Sequence, residues 1–290
     1  MSSGKNDISS MPNKPFRTLF VGDVYAGPGR EAFSALTPLL VREHDIDLVI
    51  VNGENLAGGT GLTRKTADEL FDAGAACITS GNHVWRQKEA CDVLEEDKRV
   101  LRPANYPPGA PGRDFVRLRI RGCDVAVFNL LGRVFMEPVD SPFSKAEAVL
   151  NEIGTETKLI FCDFHAEATS EKMAMGWFLA GRVTALMGTH THIPTSDERI
   201  LEGHTAYLTD AGMTGSYHSV IGVDKEVILK RFVTNLPERF REARDDVWYN
   251  GAVIEADPVT GKALSIRRIQ YRGVEKNGYF VRGEDAGRTD

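Results

Sequence analysis

Five short motifs carry side chains that can bind metal ions or move protons. They are Gly22-Asp23, Gly53-Glu54-Asn55, Gly81-Asn82-His83, Asp163-Phe164-His165 and Gly188-Thr189-His190-Thr191-His192. Carboxylate and amide oxygens together with imidazole nitrogens, with no thiolate among them, are ligands that suit divalent transition metals. The motifs therefore predict a metal centre if the fold brings them to one place.

Each motif follows a short apolar run that predicts a β-strand. Several runs are apolar throughout instead of alternating, which is typical of strands covered on both faces. The predicted strands are Thr18–Val21, Leu48–Val51, Ala76–Thr79, Val125–Leu130, Leu159–Phe164, Ala185–Gly188 and Ala206–Thr209. Helices are predicted between them at residues 28–42, Thr63–Ala73 and Ser144–Ile153. Ala252–Ala256 and Ala263–Ile269 flank a turn and predict a β-hairpin.

This alternation of strands and helices predicts an α/β fold in which the motifs share one edge. Open α/β sheets bind ligands beyond the carboxyl ends of their strands. Taken singly, Asp23 is also consistent with a helix cap, Asn55 with a turn and His165 with a core histidine. His190 and His192 are harder to explain by packing, because alternation places both on one face of an extended segment. Five such motifs at one edge favour a functional site.

The composition argues against several classes of function. Of the 290 residues, 42% are apolar and 26% are charged, and the formal net charge is −6. Without a basic tail, this balance argues against stable nucleic-acid binding and against a membrane surface, although bound cations can still attract a small anionic substrate. No apolar run approaches the ~20 residues that cross a bilayer. The four cysteines show no CxxC spacing, which fits a reducing cytoplasm.

The domain organisation is predicted to be simple. No repeat, low-complexity linker or change of composition divides the chain, so we expect one domain over residues 16–275. Residues 1–15 are polar and lack the apolar segment of a signal peptide, which predicts a disordered N-terminal tail. Residues 276–290 are predicted to form a polar C-terminal tail. The sequence leaves the oligomeric state open, including a homo-oligomer.

The order of the motifs resembles that of the calcineurin-like metallophosphoesterases, and within them the YmdB-like branch. The resemblance is carried by LFVGDV, VNGEN, SGNHVW, RPAN, DFHAEATSEK, GTHTH, TDAGMTG and KRFVTNLP, which span about residues 18–237. Two departures from the wider superfamily identify the branch. Asp23-Val24-Tyr25 lacks the usual histidine of the first motif. Glu54 replaces the usual bridging aspartate, and Asn55 resembles the compensating ligand.

The resemblance implies an α/β fold of four layers, in which two facing mixed β-sheets are flanked by helices and two divalent metal ions lie at the top. The implied ligands form two sets that share one bridging residue: Asp23, Asn55, His192 and Glu54 for one ion, and Glu54, Asn82, His165 and His190 for the other. Iron or manganese would suit this set of nitrogen and oxygen ligands. His83 would donate a proton to the leaving group, a role that suits an imidazole.

By the same resemblance, the chain would hydrolyse small phosphodiesters such as 2′,3′-cyclic nucleotides. Two metal ions can activate water and neutralise the charge of the phosphoryl oxygens. Two alternatives stay open. One is a phosphomonoesterase, a general phosphatase with the same centre. The other is a regulatory or scaffolding protein whose metal site is structural.

Other groups give weaker signals. Arg102 and Arg133 are candidates for contacting a substrate phosphate, and each is equally consistent with a solvated surface arginine. A nucleotide-binding loop at residues 22–29 is disfavoured, because the P-loop and GxGxxG patterns are missing. A nucleophilic Ser80 is disfavoured too, because no GxSxG motif surrounds it.

Overall fold

The computed structural model describes residues 14–274 and the backbone of residues 281–282. In chain order its strands are β1 (Phe16–Val21), β2 (Asp23–Val24), β3 (Leu48–Asn52), β4 (Cys77–Thr79), β5 (Phe115–Ile120), β6 (Cys123–Leu131), β7 (Leu159–His165), β8 (Ala185–Thr189), β9 (Arg199–Leu201), β10 (Thr205–Leu208), β11 (Met213–Ser216), β12 (Val247–Ala256), β13 (Ala263–Arg272) and β14 (Val281–Arg282). Its helices are α1 (Ala26–Glu43), α2 (Arg64–Asp72), α3 (Ala90–Glu96), α4 (Pro142–Ile153), α5 (Thr169–Leu179) and α6 (Lys225–Thr234).

The strands form two mixed sheets. In sheet one the order is β14-β13-β12-β1-β3-β4, with β11 beside β12 and β2 beside β11; in sheet two it is β5-β6-β7-β8-β10-β9. Strands β1, β3 and β4 run parallel in sheet one, and β6, β7, β8 and β10 run parallel in sheet two. Strands β5, β9 and β12 pair antiparallel with their neighbours. Parallel strands end at the same edge, so the residues that follow them meet there.

Alternate residues of the strands enter different cores, which explains the continuous apolar runs. In β1, Phe20 lies between the two sheets, whereas Leu19 and Val21 pack with α1 and α2. In β7, Phe161 lies between the sheets, whereas Phe164 packs with α4 and α5. All five side chains are at most 2% exposed. The result is the expected four-layer sandwich. Its buried strands end directly before the motif residues and so fix their positions at the edge.

The seven strands and three helices expected from the sequence are confirmed, with ends that differ by no more than two residues. The hairpin of β12 and β13 is confirmed too, with longer strands than expected. Helix α5 was not predicted, because its buried face includes Glu171 and Lys172, which interrupt the apolar periodicity. Helices α3 and α6 were not predicted either: α3 has only seven residues, and Ile228 is the buried residue of α6.

The predicted tails lie almost entirely outside the described residues, and the domain boundaries stay a prediction. Two residues of the expected C-terminal tail, Val281 and Arg282, pair as β14 with β13. Among the helices of the described part of the chain, none has the length and apolar character needed to cross a bilayer.

Candidate metal centre

The seven predicted ligands converge beyond the carboxyl ends of the parallel strands. Sheet one contributes side chains with oxygen ligand atoms: Asp23 after β1, Glu54 and Asn55 after β3, and Asn82 after β4. Sheet two contributes three imidazoles: His165 at the end of β7, and His190 and His192 after β8. Both carboxylates are at most 1% exposed. The arrangement agrees with the edge expected from the sequence.

One group of ligand atoms surrounds His165 Nε2. Glu54 Oε2 lies 3.2 Å from this nitrogen, Asn82 Oδ1 lies 3.1 Å from it, and His190 Nδ1 lies 3.0 Å from it. Ligand atoms of Glu54, His165 and His190 all lie within 4.8 Å of one another. Such a cluster can surround a single cation, which nitrogen and oxygen ligands approach to about 2.0–2.2 Å.

A second group lies on the other side of Glu54. Asn55 Nδ2 is 3.0 Å from Glu54 Oε1 and 3.1 Å from His192 Nε2. His192 Nε2 is 3.9 Å from Asp23 Oδ1. Asn55 Oδ1 faces His83 instead. Because the oxygen of an amide is the atom that binds a cation, binding by Asn55 requires its amide to rotate by about 180°, which exchanges two atoms of nearly equal size.

Glu54 lies between the two groups. Its Oε1 faces Asn55, and its Oε2 faces His165 and accepts a hydrogen bond from the His83 N–H at 3.0 Å. Burial alone would raise the pKa of Glu54, but the imidazoles of His165 and His83 lower it well below the usual value. An ionised carboxylate with one oxygen turned to each group has the form of a bridging ligand.

Asp23 indicates that the pocket is built for positive charge. Its Oδ2 accepts a hydrogen bond from the His190 N–H at 3.1 Å, while its buried Oδ1 has no hydrogen-bond partner among the described residues. Burial raises the pKa of Asp23; His165 lowers it, and the carboxylates of Glu54 and Asp210 raise it again. A cation beside Oδ1 would supply the missing partner and offset the buried negative charge. These residues therefore fit a divalent metal ion.

Each histidine of the centre has its second ring nitrogen beside an oxygen atom. The three pairs are His165 Nδ1 with Thr189 Oγ1 at 2.9 Å, His190 Nε2 with Glu167 Oε2 at 3.0 Å, and His192 Nδ1 with the Ile221 carbonyl oxygen at 3.0 Å. A ring nitrogen that donates to such an oxygen carries the proton. The other ring nitrogen, which faces the centre, is then free to bind a cation.

Asp163 is a buried carboxylate that the sequence analysis did not assign to the site. Its Oδ1 accepts a hydrogen bond from Thr189 Oγ1 at 2.7 Å, and its Oδ2 accepts hydrogen bonds from Asn52 Nδ2 and the Thr79 hydroxyl. Because the Thr189 hydroxyl donates to Asp163, its oxygen accepts from His165 Nδ1. The signal that could have found Asp163 is its position two residues before His165, on the same face of β7.

The segment that carries His190 and His192 is not extended, and the expectation from strand alternation was wrong. Strand β8 ends at Thr189, and φ is 100° at His190 and 67° at His192. L-residues rarely adopt this region, at a cost of order 1–3 kcal/mol each. A tight bend, rather than alternation along a strand, directs the two imidazoles into different groups.

A buried ion pair holds this bend. Asp210 Oδ2 accepts hydrogen bonds from the Thr191 N–H at 3.1 Å and the Thr191 hydroxyl at 2.8 Å, and Oδ1 accepts from the Gly212 N–H at 2.8 Å. Lys172 Nζ lies 2.6 Å from Asp210 Oδ2, and both side chains are 1% exposed. The Gly212 carbonyl accepts from the Asp23 N–H at 3.0 Å. Strained backbone persists when its surroundings determine it in this way.

Two glycines leave room for the ligands to approach. A Cβ at Gly81 would overlap the Glu54 carboxylate and the His165 ring. A Cβ at Gly22 would overlap the carbonyl oxygen of Gly212. Each of these glycines directly precedes a predicted ligand, so the motifs require glycine there for close packing.

His83 lies beside the centre and toward solvent. Its Nδ1 is 2.8 Å from Asn55 Oδ1 and 3.2 Å from Glu54 Oε1. Its side chain is 29% exposed, whereas that of His165 is fully buried. These contacts occupy Nδ1 and leave Nε2 as the ring nitrogen that a substrate can approach.

Of the weaker candidates, Arg102 is corrected, and the structure agrees with the sequence in disfavouring Ser80. Arg102 is 6% exposed, donates to three backbone carbonyls and pairs with Asp114 at 2.9 Å, so it is a structural arginine rather than a phosphate contact or a surface residue. The Ser80 hydroxyl is buried and donates to the Leu101 carbonyl at 2.6 Å, so nucleophilic chemistry at Ser80 is ruled out. Arg133 is exposed beyond the end of β6.

Comparison with known proteins finds relatives that share the fold of this chain. The YmdB-like protein family matches residues 19–269. The 2′,3′-cyclic-nucleotide 2′-phosphodiesterase of Bacillus subtilis (strain 168) is 47% identical over 253 residues, which are 87% of this chain and 96% of that protein. A hypothetical protein from Thermus thermophilus has a TM-score of 0.84 at 41% identity, covering 89% of this chain and 99% of its own. A novel phosphatase from Mycoplasma pneumoniae has a TM-score of 0.85 at 33% identity, covering 90% and 95%.

Proposed function

The chain belongs to the YmdB-like protein family, and we propose that it is a metal-dependent phosphodiesterase that hydrolyses 2′,3′-cyclic nucleotides. The observation that carries the proposal is Glu54, whose two carboxylate oxygens face two separate groups of ligand atoms. Two-metal phosphoesterases hold their ions about 3.5–4 Å apart, a distance that one shared carboxylate can span. The substrate class is supported by the Bacillus subtilis relative, which is named for 2′,3′-cyclic nucleotides.

We assign the seven ligands to two ions. The proposed sets are Asp23, Asn55 and His192 for the first ion, and Asn82, His165 and His190 for the second, with Glu54 shared. Four oxygen donors, three nitrogen donors and no thiolate favour iron or manganese over a zinc–cysteine site. The unpartnered Asp23 Oδ1 supports the first set, and the cluster around His165 Nε2 supports the second.

When bound, the ions would activate water and neutralise the phosphoryl oxygens. The residues of the chain would supply the proton. A ribose alkoxide is a poor leaving group, and the His83 Nε2–H is the donor best placed to protonate it. In the protonated ring that acts as an acid, Nδ1–H would donate to Glu54 Oε1, 3.2 Å away, which orients the imidazole and leaves Nε2–H for the substrate.

The test uses the purified full chain with three substrates: adenosine 2′,3′-cyclic phosphate, bis-p-nitrophenyl phosphate and p-nitrophenyl phosphate. We expect about two ions per chain, as in other two-metal phosphoesterases. Chelation should abolish diester hydrolysis, manganese should restore it, and the cyclic nucleotide should give a phosphomonoester that accumulates. Undiminished activity of the metal-free protein would refute the proposal.

The same assay separates the alternatives. Faster hydrolysis of p-nitrophenyl phosphate than of either diester would favour a phosphomonoesterase, in line with the Mycoplasma pneumoniae structure described as a phosphatase. Bound metals without turnover of any substrate would favour a regulatory or scaffolding protein. The complete ligand set together with a partly exposed imidazole beside it argues for catalysis.

A further inference from the structure

We propose that Phe135 stacks on the nucleobase of the substrate. This inference rests on the proposed function and adds a recognition group for the base, which no proposed metal ligand supplies. Phe135 is 89% exposed and is the most exposed large apolar side chain in the described part of the chain. Covering this ring with another molecule would remove apolar area from water, which is favourable.

The backbone at Phe135 is strained. The residue is the third of the turn Arg133–Met136, in which the Met136 N–H donates to the Arg133 carbonyl at 3.3 Å. Its φ is 63°, a conformation that glycine or asparagine adopts readily at this turn position and that a bulky residue rarely adopts. An exposed phenylalanine at a position that favours glycine points to a role for its ring.

Helix α5 fixes the backbone of the turn through the side chain of Glu171. The Glu171 carboxylate, 8% exposed, accepts hydrogen bonds from the N–H groups of Arg133 at 3.0 Å and Val134 at 3.0 Å. Met136 packs into the core of sheet two. A ring presented on a fixed backbone loses little conformational freedom when a ligand covers it, which makes it a better anchor than a mobile one.

One end of the turn is joined to the metal centre. Strand β6 ends at Leu131, which is level with His165 in the neighbouring strand β7. The next residue, Gly132, donates its N–H to the His165 carbonyl at 2.9 Å. Phe135 is three residues beyond Gly132, so their Cα atoms are at most about 11 Å apart.

The other end of the turn approaches the segment that carries His83. Glu137 Oε1 lies 3.9 Å from Arg86 Nη2, and Arg86 donates its N–H to the His83 carbonyl at 2.9 Å. The turn that carries Phe135 is therefore connected at one end to His165, a proposed metal ligand. At the other end it is connected, through Glu137 and Arg86, to the segment of His83, the proposed proton donor. A ligand whose phosphate occupies the centre would extend its base along this side.

The chemistry of the surroundings favours a nucleobase over an apolar protein surface. Arg133 lies two residues before Phe135, and Arg86, whose side chain is 57% exposed, contacts Glu137 directly after the turn. Arg86 is paired with Glu137, which leaves Arg133 as the cation beside the turn that has no ion pair among the described residues. An aromatic ring near a cation suits a planar base attached to an anionic phosphate. Stacking is tolerant of base identity, and it should be strongest for purines because their rings are larger.

The test compares Phe135→Ala and Phe135→Trp with Val134→Ala, a neighbour in the same turn that is 41% exposed. Binding of adenosine 3′-phosphate to the metal-loaded protein is measured by calorimetry. Turnover is measured with adenosine 2′,3′-cyclic phosphate and with methyl riboside 2,3-cyclic phosphate, which has no base.

Phe135→Ala should weaken nucleotide binding on the order of 10- to 100-fold and raise the KM for the nucleotide similarly, with kcat and metal content unchanged. The base-free substrate, Phe135→Trp and Val134→Ala should show little change.

Equal nucleotide binding by Phe135→Ala and the wild type would overturn the inference, and so would an equal loss for substrates with and without a base. The binding measurement also separates this inference from the proposed function. If the protein hydrolyses no cyclic nucleotide but Phe135→Ala still weakens nucleotide binding, the proposed function fails and the stacking role stands. If hydrolysis occurs and binding is unchanged, the opposite holds.

Discussion

The two sheets supply different kinds of ligand atom and support them by different means. Sheet one supplies the oxygen half of the proposed metal centre: Asp23, Glu54, Asn55 and Asn82. Its carboxylates accept hydrogen bonds from N–H groups of other ligand motifs, at His190 for Asp23 and at His83 for Glu54. Sheet two supplies the nitrogen half: His165, His190 and His192. It draws on residues outside the five motifs, namely Glu167, Lys172, Asp210 and Ile221.

The difference follows from the chemistry of the ligands. A carboxylate has only acceptor atoms, so either oxygen can face the centre whatever donates to the other. A neutral imidazole has one donor and one acceptor, so an oxygen on the far side decides which nitrogen faces the centre. The nitrogen half therefore needs residues outside the five motifs, whereas the carboxylates of the oxygen half are supported by N–H groups within the motifs.

Glu54→Ala should have the largest effect, because Glu54 is the one proposed ligand shared by both ions. Loss of the bridge should remove metal from both groups and reduce diester hydrolysis to the background rate. Asn55→Ala is the matched variant, since Asn55 contacts one group only. Metal analysis of the purified proteins checks the order. If the two variants retain equal amounts of metal, Glu54 is not the bridge.

His83→Ala tests whether His83, which follows the proposed ligand Asn82 after a strand of sheet one, donates a proton and does not bind metal. We expect metal content and KM to hold while the rate on a cyclic nucleotide falls by about 10²–10⁴-fold, the usual contribution of a positioned acid or base. Bis-p-nitrophenyl phosphate should suffer much less, because p-nitrophenolate leaves without a proton. Steady-state kinetics with both substrates measure this. Equal losses, or lost metal, would make His83 a ligand or a structural residue.

Lys172→Met tests the support of the nitrogen half. The substitution leaves the Asp210 carboxylate buried without its cation, so the free energy of unfolding should fall by about 3–5 kcal/mol. Lys230→Met is the control, because Lys230 pairs with Glu238 on the surface with its side chain 61% exposed, and it should cost at most about 1 kcal/mol. Denaturant unfolding of the metal-free proteins measures both. Similar losses would mean that the buried pair does not hold the bend.

Asp163→Asn should have the smallest effect of the four. It replaces one of the two acceptor oxygens of Asp163 by an NH2 donor, which weakens the hydrogen bonds that fix the Thr189 hydroxyl and, through it, His165. Such contacts usually contribute about 10- to 100-fold in metal affinity. Asp197→Asn is the control: Asp197 also accepts from two threonine hydroxyls, on Thr195 and Thr209, but neither contacts a histidine of the centre. Competitive chelator titration measures the affinities. Asp163→Asn should bind metal more weakly than Asp197→Asn. Equal affinities of the two variants would mean that Asp163 does not support the metal centre.

The sequence by itself determined the strands that carry the motifs, the glycines and the chemical type of each ligand. Strand ends are local features, because apolar runs stop where polar residues begin, and the motifs lie directly at those points. The close approach of Glu54 and His165 to Gly81 is a consequence of the fold, but the glycine itself can be read from the sequence. This is why the edge of the sandwich and the seven candidate ligands could be identified before any distance was known.

Only the tertiary structure decided how the ligands are divided, held and surrounded. The positive φ values at His190 and His192 are stabilised by Asp210, and Asp210 is paired with Lys172 on a helix 38 residues earlier in the chain. The position of Phe135 depends in the same way on Glu171, which lies 37 residues beyond Val134. Such contacts depend on which strands are neighbours and in what register, and no local pattern of residues records either. Buried charged residues also interrupt the apolar periodicity by which a helix is predicted, as Glu171 and Lys172 do in α5. In the sequence they cannot be distinguished from solvent-exposed residues, because their partners are not known.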